Sequence, residues 1–348
     1  MRSLVPLLFL AGCVTEPPTG ATASQVGTTP TAPTNPLPAN CPWWGCGSNS
    51  PLIDAWSFHE LSVEGLPNSA GISLVGLVKD DRWYQPKVIG AQLYADSLDP
   101  AAYPPISGSL LVGSALVLET ERGRYTIDIM AVNDVTPYWV GPAKTNETYV
   151  LHYTGGGDDD VPLCRNPPSD GRVWPDAVGA LLFTGDRYDA QTKVVTATSG
   201  EGTAGWFNIA CAGSALAKLH LNRHTDAGAT LGFETTRAQR QAMLKMFASD
   251  VCGTGMAFTH PGEPLHWQNA TGWVTLDGKE RSIEALWDEH GALCLDEHRL
   301  EADPGYPTIR AEIAKECEKA GRALPPCEEA GYPRKWREGI AYLLSANP

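Results

Sequence analysis

The sequence predicts an α+β fold, in which a β-rich N-terminal part leads into a disulfide-containing domain with two helices, and a short helical tail follows. Residues 52–155 carry β-type runs, including apolar–polar alternation at 124–132, and lack helical periodicity. Residues 212–253 instead repeat apolar residues at the three- and four-residue steps of a helix. Setting Cys13 aside leaves an even number of the 9 cysteines, which in an exported chain indicates disulfides.

The N-terminus carries export signals. A short apolar run at residues 4–10 follows a positive start and is too brief to span a bilayer. It ends in Leu-Ala-Gly-Cys at residues 10–13, which resembles the lipobox of bacterial lipoproteins. The resemblance implies that residues 1–12 are a signal peptide, that Cys13 is lipidated, and that Val14 permits sorting to the outer membrane. The alternative is an ordinary secretory signal with a cysteine placed there by chance.

The acidic composition limits the classes of partner. The chain has 26 Lys and Arg against 40 Asp and Glu, a formal net charge of −14. Nucleic-acid backbones are bound through clustered Lys and Arg, so this charge argues against a nucleic-acid partner. The sequence has no glycine-rich nucleotide loop, and no cofactor is predicted.

The region after the lipobox predicts a tether and then the start of the folded part. Residues 13–40 are rich in Pro and Thr and carry only one charged residue, Glu16, so they predict a disordered tether. Residues 41–157 form the β-rich region, which starts with a small disulfide loop between Cys41 and Cys46. A redox role for this pair is the alternative, but its spacing is not Cys-x-x-Cys.

Several strands are predicted in the β-rich region. The turn residues Glu121-Arg122-Gly123 indicate a hairpin between the second and third strand. The strand candidates are Gly71–Val78, Ser109–Leu118, Arg124–Val132 and Thr148–Tyr153. The acidic run 158–160 follows and lacks the alternating oxygen-ligand spacing of a calcium loop. It is predicted to be a solvated joint, with a cation site as the alternative.

Residues 158–300 mix strands with two helices. The first helix is predicted over Ala212–His224, and the second starts at the capping box Thr236-x-x-Gln239 and ends near Gly253. The strand candidates are Ala180–Tyr188, in which the strand leads to a turn, and Lys193–Thr198, Gly272–Leu276, Ser282–Trp287 and Gly291–Cys294.

Residues 301–348 are predicted to form a helical tail. A charged helix at Thr308–Gly321 contains Cys317, and a Leu-Pro-Pro break precedes Cys327. The short spacing between these cysteines suits a local disulfide across the helix and the following turn.

Short motifs occur in order along residues 105–300. They are Leu111-x-Gly113, Leu163-Cys164, Phe207-x-x-Ala210-Cys211 with Ala217-Lys218, Asp250-x-Cys252-Gly253-x-Gly255, Thr259-x-x-Gly262, and Glu284-Ala285-x-Trp287 before Gly291-Ala292-x-Cys294. Together they resemble the ADYC domain, found in mainly myxobacterial exported proteins without an established biochemical function. The name denotes Ala-Asp-Tyr-Cys, of which residues 249–252 keep Asp250 and Cys252. The resemblance assigns no catalytic residue.

The resemblance also implies a helix arrangement and a disulfide. The wider family has cysteines where this chain has Leu219 and Met243, which implies that these two positions face each other. A central antiparallel helix pair would then place Cys211 and Cys252 at the same end. The resemblance thus implies a Cys211–Cys252 disulfide, which leaves Cys164 to pair with Cys294.

Candidate chemistry centres on four residues of this domain. His220 and His224 lie one helical turn apart and could bind a metal, but the sequence lacks a third ligand and the His-Glu-x-x-His pattern, so packed histidines are predicted. Cys252 could be a nucleophile with Asp250 and either His224 or His260, but the cysteine count favours a disulfide.

Two polar segments near the motif are given structural roles. Asp250 is a candidate acid or base, but it is predicted to accept hydrogen bonds from N–H groups of residues 253–255. Residues 288–290, an Asp-Glu-His run, are predicted to form a solvated turn.

We therefore expect a lipid-anchored cell-envelope protein with a non-enzymatic binding or structural function and the membrane as its partner. No catalytic residue or metal ligand is assigned. The alternative is an envelope hydrolase or metal-dependent enzyme that uses His220, His224, Asp250 and Cys252. The ligand and the oligomeric state do not follow from the sequence.

Overall fold

The computed structural model describes residues 52–53, 56–141, 144–164, 179–198, 200, 202–225, 235–259, 265–279 and 281–347. The predicted signal peptide with Cys13, the tether, the Cys41–Cys46 loop, His260 and Gly262 lie outside the described residues.

Antiparallel sheets dominate the described part of the chain. The largest has eleven strands, in the order β3-β15-β12-β10-β9-β8-β4-β5-β6-β7, with β11 paired to β10. Its strands are β3 (Glu60–Ser62), β4 (Ser73–Lys79), β5 (Arg82–Ile89), β6 (Gln92–Ser97), β7 (Ile106–Ser107), β8 (Ala115–Thr120), β9 (Gly123–Pro137), β10 (Thr145–Gly155), β11 (Asp158–Pro162), β12 (Ala180–Phe183) and β15 (Trp206–Cys211). A two-stranded ribbon precedes it, formed by β1 (Leu52–Ile53) and β2 (Trp56–Ser57).

Smaller sheets complete the strand inventory of the described residues. β13 (Arg187–Asp189) pairs with β14 (Val194–Ala197). A four-stranded sheet has the order β16-β19-β17-β18 and contains β16 (His266–Asn269), β17 (Ile283–Asp288), β18 (Gly291–Leu295) and β19 (Leu343–Ala346). The predicted helical tail thus also supplies an inner strand, because β19 lies between β16 and β17.

The helices are short. They are α1 (Ala215–Leu221), α2 (Arg237–Ala248), α3 (Ile309–Lys319) and α4 (Arg334–Arg337). Ser214 caps α1 by accepting a hydrogen bond from Ala217 N, which shortens the predicted first helix. The capping box of α2 is confirmed, because Thr236 and Gln239 each accept a hydrogen bond from the other's backbone N–H.

The prediction of an α+β fold centred on an antiparallel helix pair is wrong. The helical periodicity of residues 212–253 is real, but α1 is only 7 residues long. α2 packs against β14, β17, β18 and β19 as well as α1. The helices therefore cover sheets, and the fold is organised by its strands.

The large sheet separates two hydrophobic cores. Along β12, Ala180 and Leu182 face one core while Leu181 and Phe183 face the other, because successive strand side chains point to opposite faces. Both faces of β12 are therefore buried, and the run Ala-Leu-Leu-Phe is apolar throughout. We call the core that contains Leu182 the sheet core and the one that contains Phe183 the helix core. A third, smaller core surrounds Leu286 and Leu344.

Most strand predictions are confirmed, and the predictions for three segments need correction. The turn at residues 121–123 joins β8 to β9 as predicted. Residues 108–111 form a 3-10 turn before β8, and Asp158–Pro162 is a strand on β10, so the acidic run is not a joint. Residues 272–276 are not a strand, because Trp273 and Val274 donate to the Asn269 side chain instead of to a neighbouring strand. The large sheet also continues through the predicted division at residue 157.

Three disulfides are present among the described residues, and the pairings predicted for these six cysteines are wrong. The pairs are Cys164–Cys211, Cys252–Cys317 and Cys294–Cys327. Each disulfide lies within one core. Cys164–Cys211 is in the sheet core, Cys252–Cys317 is in the helix core, and Cys294–Cys327 is in the third core. The Cys211 side chain faces the sheet core, so it cannot reach Cys252 in the helix core. Cys317 on α3 bonds to Cys252 at the end of α2, so it does not form the predicted local pair with Cys327. Cys327 is bonded to Cys294 instead. Among the described helices, none has the length and apolarity needed to cross a membrane.

Candidate functional site

The Asp250 carboxylate organises the turn that follows α2. Its Oδ2 accepts a hydrogen bond of 2.8 Å from Gly255 N, as the sequence predicts, and one of 2.5 Å from Lys245 Nζ. Asp250 is fully buried, and its Oδ1 has no hydrogen-bond partner among the described residues. The ion pair with Lys245 balances its charge, so Asp250 fixes the turn that carries Cys252 and Gly253.

A second lysine lies beside this ion pair. Lys193 Nζ donates to Gly255 O, and Lys245 Nζ also donates to Thr192 O at 2.8 Å. Burial lowers the pKa of Lys193 to about 8; the Asp250 carboxylate opposes this shift, and the Lys245 ammonium adds to it. Both ammonium groups therefore interact with the buried Asp250 carboxylate, and the Asp189 carboxylate also attracts Lys193.

The turn touches the β17–β18 hairpin through backbone atoms. A Cβ built on Gly253 would lie 2.0 Å from His290 O, and one built on Gly291 would lie 2.9 Å from Val251 O. Ala292 N donates to Val251 O at 3.0 Å. The close approach explains why glycine follows the motif cysteine. With the Cys252–Cys317 disulfide, these contacts join the end of α2 to the hairpin and to α3, and we call this junction the clasp.

The residue at the end of α2 makes a second buried contact. Ser249 has φ 51°, and its Oγ lies 2.9 Å from His298 Nε2. Leu300 N donates to His298 Nδ1, so the ring proton of the neutral imidazole is on Nε2 and is donated to Ser249. Burial lowers the pKa of His298 to about 4, which keeps the ring neutral at pH 7. His298 therefore does not act as a base toward Ser249.

A carboxylate also lies near His298, but an arginine holds it. Arg299 binds Glu284 through two hydrogen bonds of 2.7 Å, from Nε to Oε1 and from Nη2 to Oε2. Burial opposes ionisation of Glu284, but the Arg299 guanidinium outweighs burial and lowers its pKa to about 2. The buried Ser249, His298 and Glu284 are therefore part of the scaffold.

A cleft of about 700 Å³ opens beside the clasp. Its basic lining residues are Arg237 and Lys245 from α2 and Arg322 from the segment after α3. The lining also contains Gln241, Cys252, Gly253, Thr254, Glu289 and His290, and its apolar part is Val194, Ala238 and Ala320. Clefts of this volume accommodate small organic ligands.

Hydrogen bonds to backbone carbonyls hold the arginines of the cleft in place. Arg322 donates to His290 O at 2.5 Å and to Ala292 O at 2.6 Å, and Arg237 donates to Val195 O at 2.5 Å. Gln241 is anchored from both sides, because its amide accepts from Val195 N and donates to Lys193 O. The cleft wall is thus oriented before any ligand arrives.

His220 lies near the end of α1 and contacts neither Asp250 nor Cys252 among its described partners. His220 stacks on Phe183 and contacts Thr225 and Asn146 at 3.1 and 3.2 Å. Burial lowers its pKa to about 3. His220 is a packed histidine in the helix core, as the sequence predicts.

His224 and Cys252 also have structural partners. His224 Nδ1 donates to Asn222 O, and burial lowers the pKa of this ring to about 4. Cys252 is bonded to Cys317, so it has no free thiol to act as a nucleophile. Asp250 and Cys252 are brought together in the clasp, whereas His220 and His224 lie at the end of α1 with other partners.

Sequence reasoning did not find the cleft residues. Lys245, Arg237 and Arg322 carry no motif. Arg322 joins the two α2 residues through long-range packing, because the Cys252–Cys317 disulfide holds α3 at the end of α2. Glu289 and His290 were assigned to a solvated turn, and they form part of the cleft lining. One usable signal was the position of Arg237, Gln241 and Lys245 at four-residue steps along α2, which places them on one helix face.

Comparison with known proteins identifies one family. The family model of the ADYC domain matches residues 108–301. Searches of curated proteins and of solved structures found no significant match. The matched range includes the clasp turn and most of the cleft lining, whereas Cys317, Ala320 and Arg322 lie beyond it.

Proposed function

The chain belongs to the ADYC domain family, and we propose that it is a lipid-anchored binding protein of the bacterial cell envelope that takes a small ligand in the cleft beside the clasp. Three disulfides support a location outside the cytoplasm, since such bonds persist in oxidising compartments. The lipobox supports attachment through Cys13, with the outer membrane as the destination. The membrane is then its partner through the anchor, and the net charge argues against nucleic acid.

The observation that carries the proposal is the cleft with its fixed wall. The Asp250–Gly255 bond, the Gly253–His290 approach and the Cys252–Cys317 disulfide hold three elements around it. A preorganised wall reduces the entropy that binding must overcome. The motif residues Asp250, Cys252 and Gly253 therefore contribute to binding indirectly, because they fix the positions of the elements that form the cleft.

The partners of the candidate catalytic residues favour binding over catalysis. The Cys252 sulfur is in a disulfide, and the Asp250 carboxylate is paired with Lys245. His298 Nε2 already carries a proton, so it cannot accept the proton that Ser249 would have to lose as a nucleophile. These groups are engaged in structural contacts.

The anchor is tested by metabolic labelling of the full chain with an alkyne fatty acid in a Gram-negative host. We expect the wild type to be labelled and to fractionate with the outer membrane, and Cys13→Ala to lose both properties. An unlabelled wild type, or a labelled Cys13→Ala variant, would refute the lipoprotein assignment.

The cleft is tested with a substitution that fills it. Ala238→Trp places an indole at the apolar wall, whereas Ala311→Trp places the same group on the exposed surface of α3. We expect Ala238→Trp to abolish binding of the fluorescent probe anilinonaphthalene sulfonate. We expect Ala311→Trp to bind this probe like the wild type. Equal binding by both variants would show that the cleft is not the site.

A further inference from the structure

The cleft concentrates positive charge on an acidic protein. The chain has 26 Lys and Arg against 40 Asp and Glu, yet the charged side chains of the cleft lining are Arg237, Lys245, Arg322 and one acid, Glu289. A surface drawn at random from this composition would be negative. The local reversal of sign indicates that the cleft attracts anions.

The charges near the cleft leave it positive after neighbouring acids are counted. Lys245 pairs with Asp250, and Lys193 interacts with both Asp250 and Asp189, so two acids balance these two ammonium groups. Outside the lining, Glu316 pairs with Lys319 at 2.9 Å. Within the described lining of the cleft, the two arginines are therefore opposed by one acid, Glu289.

The geometry of the basic groups suits an oxyanion. A guanidinium has five N–H groups, and the hydrogen bonds to backbone carbonyls use one N–H of Arg237 and two of Arg322. The remaining N–H groups can form paired hydrogen bonds to a carboxylate, phosphate or sulfonate. Lys245, which is almost fully buried, adds a point charge at the inner wall.

The apolar part of the lining describes the rest of the ligand. Val194, Ala238 and Ala320 offer aliphatic surface, and the volume of about 700 Å³ exceeds that of an inorganic ion. Resting on the proposed binding function, we propose that the ligand is a small organic anion whose oxyanion is bound by Arg237 and Arg322 and whose apolar part packs on the aliphatic wall.

The probe is anilinonaphthalene sulfonate, and phenylnaphthylamine is its uncharged counterpart. The protein is the full chain with Cys13→Ala, so no detergent interferes and the result does not depend on the anchor. We expect the sulfonate to bind with a Kd that rises with salt, since screening weakens charge attraction. Inorganic pyrophosphate and citrate compete with it, and their relative potency distinguishes a phosphate from a carboxylate ligand.

Two variants with opposite effects test the charge. Arg322→Gln weakens sulfonate binding about tenfold, the loss expected for one charge-assisted contact. Glu289→Gln strengthens it several-fold because it removes the opposing charge. The controls Arg122→Gln and Glu121→Gln make the same charge changes at the exposed β8–β9 turn and leave the Kd unchanged.

The outcomes separate this inference from the proposed function. If Ala238→Trp abolishes binding of both probes but the charge variants match their controls, the cleft binds ligands without anion selectivity and this inference is wrong. If Ala238→Trp has no effect, the proposed site itself is wrong. If Arg322→Gln does not fold, the Glu289→Gln result decides, and an unchanged Kd refutes the anion preference.

Discussion

Gly253→Ala isolates the steric contact at the centre of the clasp. Gly253 has φ 74°, and an added Cβ would meet His290 O at 2.0 Å, so the β17–β18 hairpin must move away. The backbone conformation costs about 1–2 kcal/mol for a residue with a side chain. Displacing a packed neighbour adds about 1–3 kcal/mol. We expect the free energy of unfolding to fall by about 2–5 kcal/mol, a large share of the ~5–15 kcal/mol typical of a folded domain.

Gly213→Ala is the matched control for this substitution. Gly213 also has positive φ, 87°, but an added Cβ would have no heavy atom within 4 Å. This variant should lose only the backbone contribution, about 1–2 kcal/mol. The assay is urea denaturation followed by tryptophan fluorescence, with the disulfides intact. Equal losses for the two variants would refute the close approach as the reason for glycine at 253.

Further predictions concern the clasp disulfide and the buried titratable groups. Replacing Cys252 and Cys317 together by serine removes a bond that spans 65 residues, and it should destabilise the protein by about 4 kcal/mol in urea denaturation; an unchanged midpoint would contradict this. Lys193 has a folded pKa of about 8 against 10.5, so the unfolded chain holds more protons in that interval and stability rises with pH there. Lys193→Met should lose this rise between pH 8 and 10, and an unaltered slope would exclude it. His220 and His224 are neutral in the folded protein. Their contribution to the free energy of unfolding is therefore fully present above pH 6.5, and it falls toward pH 4 because the unfolded chain gains protons. Their double Gln variant should show a flatter decline, and a slope equal to that of the wild type would argue against burial as the cause.

Local sequence patterns predicted the short-range contacts of the structure. The capping box at Thr236 and Gln239 spans three residues, and the Asp250–Gly255 hydrogen bond spans five. Such contacts depend on backbone geometry that neighbouring residues largely determine. Strands β4, β9 and β10 were recognisable for the same reason, since their apolar pattern reflects burial of one face.

The long-range arrangement depends on strand pairing that one sequence does not reveal. The inferred Cys211–Cys252 bond assumed that both cysteines lie at one end of a helix pair, but Cys211 belongs to β15, where it pairs with Ala180 of β12. The strand points Cys211 toward the sheet core and Cys164. The helix-pair arrangement was therefore applied to a residue that lies in a strand.

The cleft could not be predicted from the sequence for a related reason, because its residues are distant from one another along the chain. Lys193 and Gly255 are 62 residues apart, and Arg322 and His290 are 32 apart. No spacing rule links such pairs, and basic residues on helices are usually solvated. The Asp250-Cys252 motif pointed to this region, but it marks the clasp, and the basic residues that line the cleft are its neighbours in space.

The proposed binding site is the cleft beside the clasp. The most direct test is hydrogen–deuterium exchange of the full chain with Cys13→Ala, with and without saturating anilinonaphthalene sulfonate. We predict slower exchange in α2 and in residues 253–255, 288–291 and 320–322, and unchanged exchange in β4, β5 and β6. Protection confined to the large sheet, with none around the clasp, would contradict the claim.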